Sequence, residues 1–211
     1  MKNLIIIGAR GYGRVVYNIA QDCISSGENL VVKGFLDDKS DALDGFVGYP
    51  PILSSVEDYI IEDKDVFVCA LGETIYKKKY AEIILRKGGN FISLISPKAT
   101  LMSNVRIGKG CIIGGFSTIA CDTIVGDFVT ILGYSSIGHD VSVSNWCHIG
   151  AYCFLAGFSS MGESSTMQTS SRLLPHKKVG ENAIVGAGSV CIRNVKQNTT
   201  VFGYPAQLLK V

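Results

Sequence analysis

Long apolar runs, paired cysteines and an excess of charge are all missing from this chain of 211 residues. No apolar stretch approaches the ~20 residues needed to span a bilayer, so no membrane segment is expected. The apolar start, Leu4-Ile5-Ile6-Ile7, is short, is followed by Arg10 and lacks a cleavage site, so it reads as a buried first strand and not as a signal peptide. Charged residues make up 18% of the chain and the net charge is +2, which leaves no electrostatic case for a nucleic-acid partner. The one run of three basic residues, Lys77-Lys78-Lys79, reads as a solvated helix face. The seven cysteines (23, 69, 111, 121, 147, 153 and 191) form no CxxC pair and are odd in number. They read as small hydrophobes in a reducing compartment, which makes the cytoplasm the expected location. With 47% apolar residues the chain can build one large or two small cores.

What the chain does have is a period of six. An apolar residue recurs at every sixth position from Leu101 through Ile107, Ile113, Ile119 and onward to Val179, Val185 and Cys191. A helix wants a period of 3.6 and an ordinary strand a period of 2, whereas a period of six marks a parallel β-helix built from very short strands. Two further columns keep the same period. The residue after the apolar one is Gly at 108, 114, 126, 138, 150, 162, 180 and 186, and Ala at 120 and 156. The residue four after it is small, from Val105 and Cys111 to Ser189 and Val195, with Lys177 the exception. An inward corner filled by one branched and one small side chain accounts for two columns. The glycines are expected where the chain turns through positive φ. Three flat faces of one hexad each predict 18 residues per coil.

Residues 1–96 follow another pattern. Strands are expected at Leu4–Ile7, Val31–Leu36, Val66–Leu71 and Phe91–Ile95, with helices over Arg14–Ser26, bearing Val15, Val16, Ile19 and Ala20 on one face, and over Tyr76–Lys87. Asp41–Pro51 reads as a loop. Alternating strand and helix implies a parallel sheet of βαβ units, here about half of a dinucleotide fold. The turn Gly8-Ala9-Arg10-Gly11-Tyr12-Gly13 between first strand and first helix suits a phosphate, and the acids Asp37-Asp38 after the second strand suit a ribose or sugar hydroxyl. Its glycines run G-x-x-G-x-G and not G-x-G-x-x-G, so the turn equally fits a merely tight connection, and a nicotinamide enzyme is disfavoured. After the hexads, Phe202–Ala206 reads as a turn and Gln207–Lys210 as the start of a segment capping the solenoid end.

All three histidines, His139, His148 and His176, lie inside the repeat. Histidine is the usual general base near neutral pH. His139 and His148 are nine residues apart, half a coil, so they face opposite sides and meet only across an interface between copies. Their spacings do not suit a zinc site, and no metal is expected. His176 falls in the stretch Arg172–Lys178, read as an irregular loop, and receives no role.

A glycine-turn α/β domain followed by hexad coils resembles the bacterial acetyl-CoA-dependent sugar acyltransferases of the hexapeptide-repeat class, which include the N-acetyltransferases of nucleotide-linked 4-amino-4,6-dideoxy sugars and the sialic acid O-acetyltransferases. The pieces that carry the resemblance are Gly8–Gly13, Phe35-Leu36-Asp37-Asp38, Ala70-Leu71-Gly72, Ser135–Asp140, Ile184–Val190 and the tail Gly203-x-Pro205-Ala206. It implies an N-terminal half-Rossmann-like domain (1–96) that binds a nucleotide sugar and a left-handed parallel β-helix (97–211) that carries acetyl transfer, with a C-terminal cap. It also implies a homotrimer with sites between subunits. By the same resemblance His139 is the general base and Asp140 tunes it. His148 contacts the acetyl-CoA thioester region, Gly157 offers a backbone N–H to the thioester oxygen, and Thr169 and Ala187, one coil apart, line the pantetheine arm. Arg10, Gly11, Tyr12, Asp37, Asp38 and Gly72 hold the nucleotide end of the acceptor, with Arg10 and Tyr12 standing where Ser and His are common. The implied activity is N-acetylation of the sugar's 4-amino group for surface glycans such as the lipopolysaccharide O-antigen, with acetyl-CoA as co-substrate. O-acetylation of a sialic-acid-like sugar and a non-catalytic nucleotide-binding scaffold are the alternatives.

Overall fold

A computed structural model describes residues 1–209, which fall into two compact units, Met1–Ser96 and a second opening at Pro97. The first unit is a five-stranded parallel sheet. Its elements in chain order are β1 (Lys2–Ile7), α1 (Gly11–Ser25), β2 (Leu30–Leu36), β3 (Ile52–Ser54), β4 (Asp65–Cys69), α2 (Thr74–Arg86) and β5 (Asn90–Phe91). The sheet order is β3-β2-β1-β4-β5. Leu4, Ile5, Ile6, Phe35, Leu36, Phe67, Val68 and Cys69 are fully buried, as near-continuous apolar runs must be in a sheet covered on both faces.

Several sequence expectations shift here. The edge strand β3 lies just beyond the expected loop; its three residues after Pro50-Pro51 are too few to show a period. The strand expected over Phe91–Ile95 divides into Asn90–Phe91 and Leu94–Ile95. Helix α1 begins at Gly11, three residues before the expected start, so the glycine turn is itself the first helical turn. Val15 is 52% exposed, while Gly13, Val16, Ala20 and Cys23 form the buried stripe. Lys77 is buried with Ala81, Ile83 and Ile84, so the Lys77–Lys79 run is not a uniformly solvated face.

A polar network ties the sheet's lower end. The fully buried Asp65 carboxylate accepts from Tyr59 Oη (2.8 Å), the Glu62 N–H (2.8 Å) and Asn3 Nδ2 (3.2 Å), and pairs with Lys33 Nζ (3.4 Å). Burial alone would push the Asp65 pKa up, but these donors hold it below its ordinary 3.8. A depressed folded value stabilises above the unfolded pKa and is lost as pH falls through the folded one. Asp65→Asn is therefore expected to cost about 2 kcal/mol at pH 7, the range for charge-assisted bonds, with the gap from the parent closing below pH ~4. Urea titrations at pH 7 and pH 3.5 check both the size and the sign.

The second unit is a parallel β-helix of two-residue strands. Each strand pairs with the one 18 residues on: Thr118-Ile119 with Ser136-Ile137, Ile124-Val125 with Ser142-Val143, Thr130-Ile131 with His148-Ile149. The first face runs from Thr100–Leu101 to Val190–Cys191, the second from Arg106–Ile107 to Lys178–Val179, and the third includes Ile112–Ile113, His148–Ile149 and Ile184–Val185. The parallel β-helix expected from the hexads, left-handed as the resemblance implies, is the fold found. The apolar column fills the interior, with Ile119, Ile137, Ile149, Leu155, Met167 and Leu173 at 0% exposure; its first member, Leu101, is 40% exposed.

The glycine column has a different cause from the one expected. None of Gly108, Gly114, Gly126, Gly138, Gly150, Gly162, Gly180 and Gly186 has positive φ. They are required because coils approach closely: a Cβ on Gly114 would lie 2.5 Å from the Gly133 nitrogen, and one on Gly150 2.6 Å from that of Thr169. The left-handed positions fall two residues later and are occupied by Phe116, Asp122, Phe128, Tyr134, Asp140, Trp146, Tyr152, Phe158 and His176, among others. Stacking between coils accompanies that strain: Phe116, Tyr134 and Tyr152 stack at 5.1 Å intervals, and Phe128 on Trp146 at 4.1 Å. The small column also does more than leave room. Ser117, Thr123 and Ser135 donate to the Leu132, Gly138 and Gly150 carbonyls at 2.7–3.1 Å, and the Cys111, Cys147 and Cys153 thiols reach the Gly126, Gly162 and Gln168 carbonyls at 3.0–3.1 Å. Buried corner carbonyls thus receive donors from the neighbouring coil.

The coil over residues 166–179 is regular, not irregular. Thr166–Met167, Arg172–Leu173 and Lys178–Val179 are its strands, and Gln168 donates to the Val185 carbonyl (2.9 Å) as the glycines do elsewhere. The tail forms a hairpin of Thr200–Gly203 with Ala206–Leu208, joined through a cis Tyr204–Pro205 bond and added to the third face. Lys210, the end of the expected cap, lies outside the described residues.

Candidate functional site

In the first unit the chain reverses strand order at β1, which pairs with β2 on one side and β4 on the other. Such a switch point opens a crevice at the carboxyl ends of the strands. The residues that follow β1, β2 and β4 meet there. Gly8 sits at φ +96°, and a Cβ on it would lie 2.9 Å from Leu71 and 3.0 Å from the Ala70 carbonyl. A Cβ on Gly13 would lie 1.9 Å from the Gly8 carbonyl oxygen, so helix α1 is seated directly on the end of β1. Arg10 is exposed at the N-cap with no side-chain cap, and no acid occupies the first turn. The positive end of the helix therefore stands beside a guanidinium, the arrangement an anion favours. Gly11 is exposed, Tyr12 half-buried, and Gly72 exposed with open space about it.

The two acids after β2 differ in role. Asp37 accepts from the Ala9 N–H (2.9 Å) through one oxygen and from the Lys39 N–H (3.0 Å) through the other, so it braces the glycine turn. Asp38 accepts a short hydrogen bond from the Tyr80 hydroxyl. That bond, helped by desolvation, pushes the Tyr80 pKa up to about 12, which keeps the phenol a donor. Tyr80 lies within the second expected helix, and its hydroxyl is part of this rim.

In the β-helix, His139 occupies the corner between the first and second faces, after Ser136–Ile137. Its Nδ1 lies 2.8 Å from Asp140 Oδ2, and the side chains are 52% and 42% exposed. A carboxylate on Nδ1 selects the tautomer whose Nε2 carries the free lone pair. One coil up stands Gly157: a Cβ there would fall 2.6 Å from His139 Nε2 and 2.7 Å from Cε1, so the imidazole lies over the glycine. The Gly157 N–H makes no hydrogen bond among the described residues. The sequence-named trio His139, Asp140 and Gly157 is therefore one cluster.

Two residues join it that the sequence reading left out. Phe158 meets the His139 ring edge-on at 5.1 Å and 88°, and His176 stacks on Phe158 at 5.0 Å and 2°. The signal was available: 140, 158 and 176 are successive members of one column with period 18. Gly157→Ala is expected to push the imidazole aside, since the group it meets is the end of a side chain and not backbone. A fall in kcat of tenfold or more with the melting temperature nearly unchanged is the expected outcome, read by steady-state kinetics and calorimetry.

His148 is elsewhere in the coil, on the third face, paired with Thr130 and Thr166. It does not meet His139 within one chain. Thr169 and Ala187 are exposed at successive levels of the corner between third and first faces, below and above each other in a column with Gly133 and Ala151.

Known proteins match both units. A family model described as the PglD N-terminal domain matches residues 3–84. GDP-perosamine N-acetyltransferase of Escherichia coli O157:H7 is 26% identical, with 94% of this chain and 81% of that protein covered. The structure of PerB from Caulobacter crescentus in complex with CoA and GDP-perosamine superposes with a TM-score of 0.89 at 24% identity, covering 100% of this chain and 98% of that one. The acetyltransferase domain of PglB from Neisseria gonorrhoeae FA1090, in complex with acetyl coenzyme A, gives 0.89 at 25% identity and 99% coverage of both chains. The chain is thus similar, along both of its units, to sugar acetyltransferases of the hexapeptide-repeat class, as its glycine turn and hexads led one to expect.

Proposed function

We propose that the protein is an acetyl-CoA-dependent N-acetyltransferase whose acceptor is the 4-amino group of a nucleotide-linked 4-amino-4,6-dideoxy sugar. The observation that carries this reading is the His139 imidazole, held through Nδ1 by Asp140 and laid over Gly157. The names of the relatives support the substrate class: GDP-perosamine N-acetyltransferase, and UDP-N-acetylbacillosamine N-acetyltransferase of Bacillus subtilis (strain 168), 28% identical over 117 residues. In this reading the first unit holds the nucleotide through Arg10, Gly11 and Tyr12, with Asp37, Asp38 and Gly72 at the rim. Among the described residues no helix is long and apolar enough to cross a membrane.

Each residue has a defined task. His139 Nε2 takes a proton from the amine as the amine attacks, directly or through water. The nitrogen lone pair adds to the thioester carbonyl, and the developing oxyanion accepts from the Gly157 N–H. Collapse expels the CoA thiolate, and the amide keeps the acetyl group. No covalent enzyme intermediate is needed, and positioning supplies much of the rate. His148, Thr169 and Ala187 serve the donor. Because His148 and His139 lie on different sides of one coil, we place each site at a seam between copies in a homotrimer.

Thiol release from acetyl-CoA in the presence of GDP-, UDP- and dTDP-linked 4-amino sugars, with hydroxyl-only analogues beside them, tests the reading. Release that requires the amine and one nucleotide is the expected outcome. Release only with hydroxyl acceptors would point to O-acetylation, and nucleotide binding without any release to a scaffold.

A further inference from the structure

The left-handed positions at the corner of His139 form one column: Asn104, Asp122, Asp140, Phe158 and His176, with φ between 56° and 61°. Asn and Asp accept that conformation readily, and a bulky aromatic residue is strained by it. At the other two corners such rings stack on one another, Phe116 with Tyr134 and Phe128 with Trp146. Phe158 has different company. Its ring is 52% exposed, so it adds little to the core. It stacks on His176 at 5.0 Å and 2° and meets the His139 ring at 5.1 Å and 88°. The backbones beneath are fastened to each other. The Phe158 N–H donates to the His139 carbonyl (3.1 Å), and the His176 N–H to the Gly157 carbonyl (3.2 Å).

The imidazole has use for such a wall. His139 is half-exposed, and Asp140 holds it at one edge, through Nδ1 (2.8 Å). A ring tied at one edge still pivots about that bond, and Gly157, without a side chain, sets no stop beneath it. A pivot carries Nε2 away from the point where the attacking amine gives up its proton. Phe158 stands at right angles to the imidazole and limits the swing, while His176 keeps the phenyl from turning outward. The apolar character of Phe158 matters as well. Lower in the same column, one coil apart, Asn104 Nδ2 donates to Asp122 Oδ1 (2.9 Å). A polar side chain at 158 would stand in the same relation to Asp140 and compete with Nδ1 for its carboxylate. We infer that Phe158, braced by His176, is a positioning residue that holds the His139 imidazole at its working angle and leaves Asp140 to Nδ1. The role rests on the reading of His139 as general base.

Transfer kinetics of Phe158→Gly test it, with whichever GDP-, UDP- or dTDP-linked 4-amino sugar the thiol-release assay identifies as acceptor. Glycine suits a left-handed corner, as Gly110 and Gly188 do at φ +68° in the other two, so the melting temperature should hold. The expected kcat falls roughly 10- to 100-fold, with KM for acetyl-CoA and for the amino sugar within about twofold. Phe158→Tyr should restore the rate, since it keeps the ring. His176→Gly should lose roughly three- to tenfold, the range for one aromatic pair, and nothing further once Phe158 is glycine. In a His139→Ala background, read by single turnover, Phe158→Gly should change nothing, because the phenyl acts through the imidazole. An unchanged kcat in Phe158→Gly, or a further loss in the His139→Ala background, would overturn the role. So would a raised KM for acetyl-CoA at unchanged kcat, which marks a donor contact instead. The single variants separate the role from the reading beneath it. A slow His139→Ala beside a normal Phe158→Gly removes the positioning role and keeps the base. A normal His139→Ala removes the base itself.

Discussion

His139→Ala is expected to lower kcat at least ~100-fold while leaving the Kd for CoA within about twofold. The imidazole is exposed at a corner, lies with Nδ1 2.8 Å from Asp140 Oδ2, and contributes nothing to the buried column beneath it. Its removal should therefore leave the coil intact. What goes is the acceptor at Nε2, and a positioned general base is worth ~10²–10⁴ in rate. His139→Asn is the sharper comparison, because it keeps a polar side chain against Asp140 without a basic nitrogen. Single-turnover acetyl transfer at saturating donor and acceptor measures the step directly. A rate within tenfold of the parent for both variants would remove His139 from the chemistry. Asp140→Asn should lie between, since it leaves the base but no longer selects its tautomer.

The cluster around that histidine shows what could and could not be seen in the sequence. The period of six gave the β-helix, because an apolar side chain at each corner is a one-dimensional rule that every coil must obey. It also located the Gly138-His139-Asp140 turn. The contact of His139 with Gly157 and Phe158 was one step further, since those residues lie a full coil of 18 along the chain, and reading it required following the exposed columns as well as the buried one. The buried column alone likewise reads His176 as part of a loop, whereas it holds a regular left-handed corner against Phe158. The glycine column was placed correctly and explained wrongly, because close approach between coils depends on the neighbouring backbone, which no local pattern reports. In the first unit the apolar runs marked β1, β2 and β4. The three-residue edge strand Ile52–Ser54 and the burial of Lys77 did not show, because each depends on what packs against it rather than on its own residues.

Gly13→Ala is expected to destabilise the protein by about 3 kcal/mol or more, whereas Gly11→Ala, two residues away, should be neutral or stabilise it by up to about 1 kcal/mol. Both glycines lie in the first turn of α1, and neither has positive φ, so conformational freedom does not separate them. Packing does. A Cβ on Gly13 would sit 1.9 Å from the Gly8 carbonyl oxygen and 2.8 Å from its carbon, and neither atom is a flexible side-chain end that can swing away. Relief requires the helix to lift from the end of β1. That motion pulls on the Ala9 N–H bonded to Asp37 and on the Arg14 N–H bonded to the Arg10 carbonyl, so the turn that presents Arg10 and Tyr12 is lost with it. A Cβ on Gly11 meets nothing within 4 Å, and there alanine gains helix propensity and loses less unfolded-chain entropy. Urea denaturation of the two variants reads the difference. Nucleotide-sugar binding by any Gly13→Ala protein that remains folded then reads how closely the seat of the helix on Gly8 governs the proposed anion site: weaker binding with unchanged CoA affinity is the expected result.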